Sequence, residues 1–155
     1  MRRPQLRGAA ALLAAIVVVA IDAAAAQTAR KPAATSWDGV YTTEQAQRGQ
    51  VAYTGPCDRC HGYKLDGASE DPDMLPAPPV AGPKFLRKWN GRSLAVLLEY
   101  LRTTMPSNNP GYLSDGEVAD VVAYMLATSG VPAGSEPLRP ELDVLAAVVI
   151  ASPPQ

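Results

Sequence analysis

Histidine occurs once in this chain of 155 residues, and cysteine only twice. A structural zinc site takes four protein ligands, usually from two Cys or His pairs, so this chain cannot close one. Its two cysteines stand three positions apart, where a disulfide would close almost no loop and stabilise the fold very little. The pair is there for chemistry. Long apolar runs are missing as well: the run from Ala9 to Ile21 has 13 residues, short of the roughly 20 that span a bilayer as a helix. Past the N-terminus there is no basic run, which excludes a nucleic-acid footprint. No internal repeat and no convincing strand pattern occur.

The first residues read as a secretory signal peptide. Arg2, Arg3 and Arg7 make a positive start, the apolar run follows, and Ala23 to Ala26 supply small residues before Gln27. Cleavage after Ala26 is expected, giving a signal peptide over 1–26 and a periplasmic protein with no membrane span. Arg2-Arg3 is not read as a twin-arginine signal. The chain left after cleavage carries 11 Lys/Arg against 14 Asp/Glu, near −3. That sign suggests partners that present basic patches.

Residues 27–36 read as a flexible leader, with one ordered domain over 37–155. Thr42 with Gln45 resembles a capping box and opens a helix from about Thr43 to Tyr53, closed by Gly55-Pro56. Residues 62–83 hold five prolines and read as loop. A loop that long signals function or a bound group that it wraps. Ser93 starts a second helix with Leu94, Leu97, Leu98 and Leu101 at helical spacing, stopped around Met105-Pro106. Ser114 with Glu117 is the clearest capping box, opening a helix to about Thr128. One short helix is expected over 140–149. The fold class is therefore all-α: short helices strung around long loops, with too little apolar helix surface for a good core alone. A large apolar cofactor at the centre would resolve that.

Cys57-Asp58-Arg59-Cys60-His61 names the cofactor. The C-x-x-C-H run is the signature of covalent haem c attachment, in which each thiol adds to a haem vinyl group and the adjacent histidine ligates the iron. A thioredoxin-like pair would need a strand before it and a helix opening at the first cysteine. Here a helix and Gly55-Pro56 come first.

These residues resemble the class I c-type cytochromes, over nearly all of residues 27–155. In that family a glycine on the first helix crosses an aromatic on the last; Gly49 and Tyr53 match the first helix, and Val121 to Tyr124 the second. A P-x-L-x-G segment follows the haem motif, and its proline carbonyl accepts a hydrogen bond from the ligating histidine. Pro78-Pro79-Val80-Ala81-Gly82 fits, with valine for leucine, so the resemblance gives Pro78 the role of fixing the His61 ring. Trp37-Asp38-Gly39-Val40-Tyr41, Trp89-Asn90-Gly91 and Pro110-Gly111-Tyr112-Leu113-Ser114 look closest to small cytochromes that accompany quinoprotein alcohol dehydrogenases. Trp89 is a candidate donor to a haem propionate, with core packing as its other reading. Tyr63, Tyr100 and Tyr112 are not separable from packing residues.

With His61 the sole histidine, the second axial ligand falls to a methionine or to none. Met125 sits on the apolar stripe of the last helix and reads as core filler. Met74 lies in the proline loop that must also deliver Pro78. Met105 is followed by Pro106, which forces the chain out of helix and leaves a thioether on a loop, where class I cytochromes carry their ligand. Met105 is therefore the expected partner of His61. Two axial ligands leave no open position, which suits one-electron transfer and no catalysis. The expected function is a single-electron carrier that takes electrons from a quinoprotein dehydrogenase and passes them to another cytochrome or a terminal oxidase. The alternative is a haem enzyme or gas sensor with an open distal site.

Overall fold

The computed structural model describes residues 34–69 and 71–154. Six helices and two short strands occur among them: β1 (Ala34–Thr35), α1 (Thr43–Tyr53), α2 (Asp58–His61), α3 (Gly82–Trp89), α4 (Leu94–Thr104), α5 (Asp115–Thr128), α6 (Leu142–Leu145) and β2 (Val148–Val149). The expected signal peptide over 1–26 and residues 27–33 of the expected leader lie outside the described residues.

Local chemistry explains the main helices. The Thr42 hydroxyl accepts the Gln45 N–H and starts α1. At α5 the capping box is complete, the Ser114 hydroxyl accepting the Glu117 N–H while the Glu117 carboxylate accepts the Ser114 N–H at 2.8 Å. Such reciprocal caps satisfy backbone donors that no helix can satisfy internally.

The frame of the fold is the crossing of α1 on α5. A Cβ built on Gly49 would lie 1.8 Å from the Asp120 carbonyl oxygen, so only glycine permits the two backbones to come this close. Beside the crossing, the Arg48 guanidinium grips both carboxylate oxygens of Asp120 at 2.8 and 3.0 Å. Tyr53 meets Tyr124 edge to face, centroids 5.6 Å apart. Leu94, Leu97 and Leu98 of α4 pack into the same core with Phe85 and Leu86 of α3.

Four features differ from the sequence-based expectation. Helix α3 begins inside what reads as loop: Pro83 stands in its first turn, where the missing N–H is harmless, and the Ser129 hydroxyl accepts the Gly82 N–H at 2.9 Å. Gln45 does not complete a capping box. Its amide is buried and pairs with the Leu138 backbone, Nε2 donating to the carbonyl at 2.8 Å and Oε1 accepting the N–H at 2.6 Å. The helix expected over 140–149 shrinks to the four residues of α6, because Val148 and Val149 pair instead, in parallel, with Ala34 and Thr35. β-branched residues favour that pairing. Order also begins before Trp37: Ser36 is fully buried, its N–H donating to Val149 O at 2.8 Å.

The tail thus closes the domain. Its Ala151 carbonyl accepts the Trp37 indole N–H at 3.0 Å, its Ile150 is buried and bonded to the turn after α3, and Asn90 Oδ1 accepts the Ser152 N–H at 2.9 Å.

Candidate functional site

The thiol-bearing turn is pinned from both sides. Cys57 leads into α2, and its carbonyl accepts the N–H groups of Cys60 and His61. Upstream, the Asp58 carboxylate accepts the Gly55 N–H at 2.9 Å, and downstream the buried Tyr53 hydroxyl donates to the Gly62 carbonyl at 2.9 Å. Burial, with Asp58 and Cys60 adding to it, pushes the Cys57 thiol up to about 11. Nucleophilic thiols of redox enzymes ordinarily have the opposite shift.

The long segment after His61 is a folded strap. Gly67 N–H donates to the His61 carbonyl at 2.8 Å, Ala77 N–H to Gly67 O at 3.2 Å, and Val80 N–H to Leu65 O at 2.9 Å. A Cβ on Gly67 would fall 2.1 Å from the Ala77 carbonyl, so the two limbs of the strap touch there through backbone alone. Leu65 is buried in left-handed backbone, φ 59°, an uncommon conformation for a leucine. It plugs the strap into the core. Nothing in its sequence context announces that role.

The strap delivers the Pro78 carbonyl to the His61 ring, 2.9 Å from Nδ1. A carbonyl can only accept, so Nδ1 carries a proton, and in the neutral ring Nε2 keeps its lone pair. That is the form in which an imidazole binds a metal.

Cys57, Cys60, His61, Pro78, Trp89 and Met105 all line one cleft of about 730 Å³, a size suited to one large ligand. Leu97, Leu101, Val121 and Met125 give it apolar walls. Two thiols, a neutral imidazole nitrogen and thioether sulfur within apolar walls form a donor set that fits haem c. Met74 borders the same cleft, as does buried Met125, so lining alone does not rank the three methionines. Trp89 is mostly buried, its ring 5.7 Å from that of Tyr100. Among the described residues its indole N–H has no protein acceptor, and no buried polar side-chain atom is left unsatisfied, so this N–H opens onto accessible space. Tyr100 and Tyr112, which sequence does not separate from packing residues, both line the cleft and are exposed.

The family model described as cytochrome c oxidase, cbb3-type, subunit III matches residues 44–125. The chain belongs to this family of c-type cytochromes. The match runs from the start of α1 into α5 and takes in the haem motif, the strap and Met105. No curated protein and no solved structure matches the chain. A c-type cytochrome works by haem-based electron transfer with redox protein partners. No helix among the described residues is long and apolar enough to cross a membrane. The three segments that look like dehydrogenase-associated cytochromes have structural work here: Asp38 accepts the Thr35 N–H, Asn90 holds the tail and Ser114 caps α5.

Proposed function

We propose that this c-type cytochrome is a periplasmic single-electron carrier, exported by a signal peptide over 1–26. Cys57 and Cys60 would hold one haem by thioether bonds, and His61 and Met105 would ligate its iron. The observation that carries the reading is the Pro78–His61 hydrogen bond beside the two thiols: it prepares Nε2 as a ligand at the site where the thiols attach the ring.

Bound there, haem supplies the cycling of iron between its ferric and ferrous states. The chain's own residues orient, enclose and tune. Pro78 holds the ring of His61 in one tautomer and raises its basicity. Leu97, Leu101 and Val121 keep water from the cleft, which disfavours the more highly charged oxidised state. The Trp89 N–H is a donor for a propionate. Met105 is favoured over Met74 because Met74 sits four residues before Pro78, on the strap that serves His61, whereas Met105 ends a different element. With His61 and Met105 both given to the iron, no position would be left for a substrate, which supports a carrier over an enzyme. A quinoprotein dehydrogenase is the proposed donor, and another cytochrome or a terminal oxidase the acceptor; the family description, naming an oxidase subunit, supports the second.

Mass spectrometry and a visible spectrum test this. The mature protein should weigh one haem more than residues 27–155, acid-acetone should not extract the pigment, and Cys57→Ala/Cys60→Ala should lose covalent haem. Covalent haem in that double variant would refute the attachment. Carbon monoxide binding to the ferrous wild type would point to the open-site alternative.

A further inference from the structure

The charge beside the cleft has the opposite sign to the chain's net charge. Residues 34–155 carry nine Lys/Arg and fourteen Asp/Glu, yet between Asp73 and Glu99 the sequence has four cations and no carboxylate. These are Lys84, Arg87, Lys88 and Arg92. The first three stand at i, i+3 and i+4 on α3, which places them together on its exposed face, while Phe85, Leu86 and Trp89 bury the other. Arg92 is exposed on the turn after the helix, its guanidinium 5.3 Å from the Trp89 ring centroid. Among the described residues none of the four meets a carboxylate, whereas Arg48, Arg59 and Arg102 each do. Lys88 and Trp89 line the cleft, so this face runs to its edge, where exposed Tyr100 continues it. A solvated helix face ordinarily mixes signs. Four like charges without such partners, on an otherwise acidic molecule, repel one another and need an anionic counterpart to gain by it.

We infer that the exposed face of α3, with Arg92, is the docking surface for a redox partner protein that presents an acidic patch beside its own redox centre. The inference rests on the electron-carrier reading. It reverses the partner that net charge suggests, because steering at contact range follows the local field within a screening length of about 8–10 Å. The helix is eight residues long, about 12 Å at helical rise, which suits the small interface of a transient electron-transfer encounter. Contact there places the partner against the cleft edge at Lys88 and Trp89.

Stopped-flow electron transfer from the haem-loaded protein tests the surface, with an acidic blue-copper protein and a basic cytochrome c as surrogate partners. The acidic partner should react faster at low salt, and its rate should fall as ionic strength rises from about 0.01 to 0.15 M. Lys84→Glu/Arg87→Glu should slow that rate by at least about tenfold, since steering is worth roughly 10–10³ in association rate. The carboxylate introduced at position 84 precedes Lys88 by four positions, a favourable helix pair, so the fold should survive. Lys64→Glu/Arg139→Glu makes the same change in net charge at residues outside α3 and should change the rate far less. A faster reaction with the basic partner, or equal effects of the two double variants, would overturn the inference. So would variant-sensitive binding to phosphatidylglycerol vesicles with unchanged electron-transfer rates, which would give the face to a lipid surface. Dithionite reduction of each protein separates the two readings: a protein that holds and cycles haem but fails these tests loses only the docking surface, and one that holds no haem refutes the carrier reading.

Discussion

His61, Met105 and Glu117 show what single side chains contribute. The His61 tautomer follows from one 2.9 Å contact with an acceptor that cannot donate. Three methionines share the cleft lining, and their chemistry separates them. In the oxidised protein, sulfur ligation should give a weak near-infrared charge-transfer band. Met105→Ala should erase it, lower the reduction potential and open the ferrous iron to carbon monoxide, whereas Met74→Ala and Met125→Ala should leave the band in place. A band that survives Met105→Ala would move the ligand to Met74. Glu117 carries a pH effect. Hydrogen bonds from the Ser114 hydroxyl and N–H hold its carboxylate below the ordinary glutamate value. A depressed carboxylate contributes stability that is complete above its unfolded pKa, near 4.3, and is lost as pH falls through its lower folded value. Glu117→Gln should therefore flatten the stability–pH slope just below about pH 4.3, read as melting temperature against pH. An unchanged slope would mean that the cap is neutral to titration.

At the scale of elements, the helices whose signals are local were legible in the sequence. Thr43–Tyr53 and Asp115–Thr128 stand where their caps put them, and Leu94–Thr104 follows its leucine spacing. The residues that the sequence singles out as candidates, the haem motif with Pro78, Trp89 and Met105, come together on one cleft. Hidden elements depend on distant partners. Helix α3 takes its N-terminal cap from Ser129, and β2 exists because Ala34 and Thr35 offer unpaired backbone. Gln45 resembles a cap in sequence because the residue it serves, Leu138, is 93 positions away. Two substitutions test these contacts by thermal or denaturant unfolding. Gly49→Ala must push α1 off α5, because its Cβ would meet backbone at 1.8 Å; a loss of about 1–3 kcal/mol, the range for overpacking, is the least expected. Gln45→Leu strands a buried N–H and a buried carbonyl at Leu138, at about 1–3 kcal/mol each. Wild-type stability in either variant would show that the contact gives way freely.

At the largest scale, the domain formed by the described residues lines one cleft with apolar side chains. Leu97, Val121 and Met125 belong to the core and also line that cleft, so a group bound there would pack against core side chains. Haem bound by the folded state and not by the unfolded chain stabilises the fold by mass action, and covalent attachment makes that coupling permanent. The apo chain should be largely disordered, with weak helical circular dichroism and no sharp melting transition. Native helix content and cooperative melting in apo protein would contradict this. Charge, too, differs between scales: the net charge is acidic, while the exposed side chains of α3 at Lys84, Arg87 and Lys88 are all cations.

The bond between the Trp37 indole and the Ala151 carbonyl joins residues 114 positions apart. A ribosome releases the first long before the second. Closing so large a loop is slow compared with forming a helix, and the step waits for Ala151. Cys57 and Cys60 leave the ribosome about 90 residues ahead of that closure. The fold thus contains its own delay: the Trp37–Ala151 contact can form only after every helix between those two residues has been released.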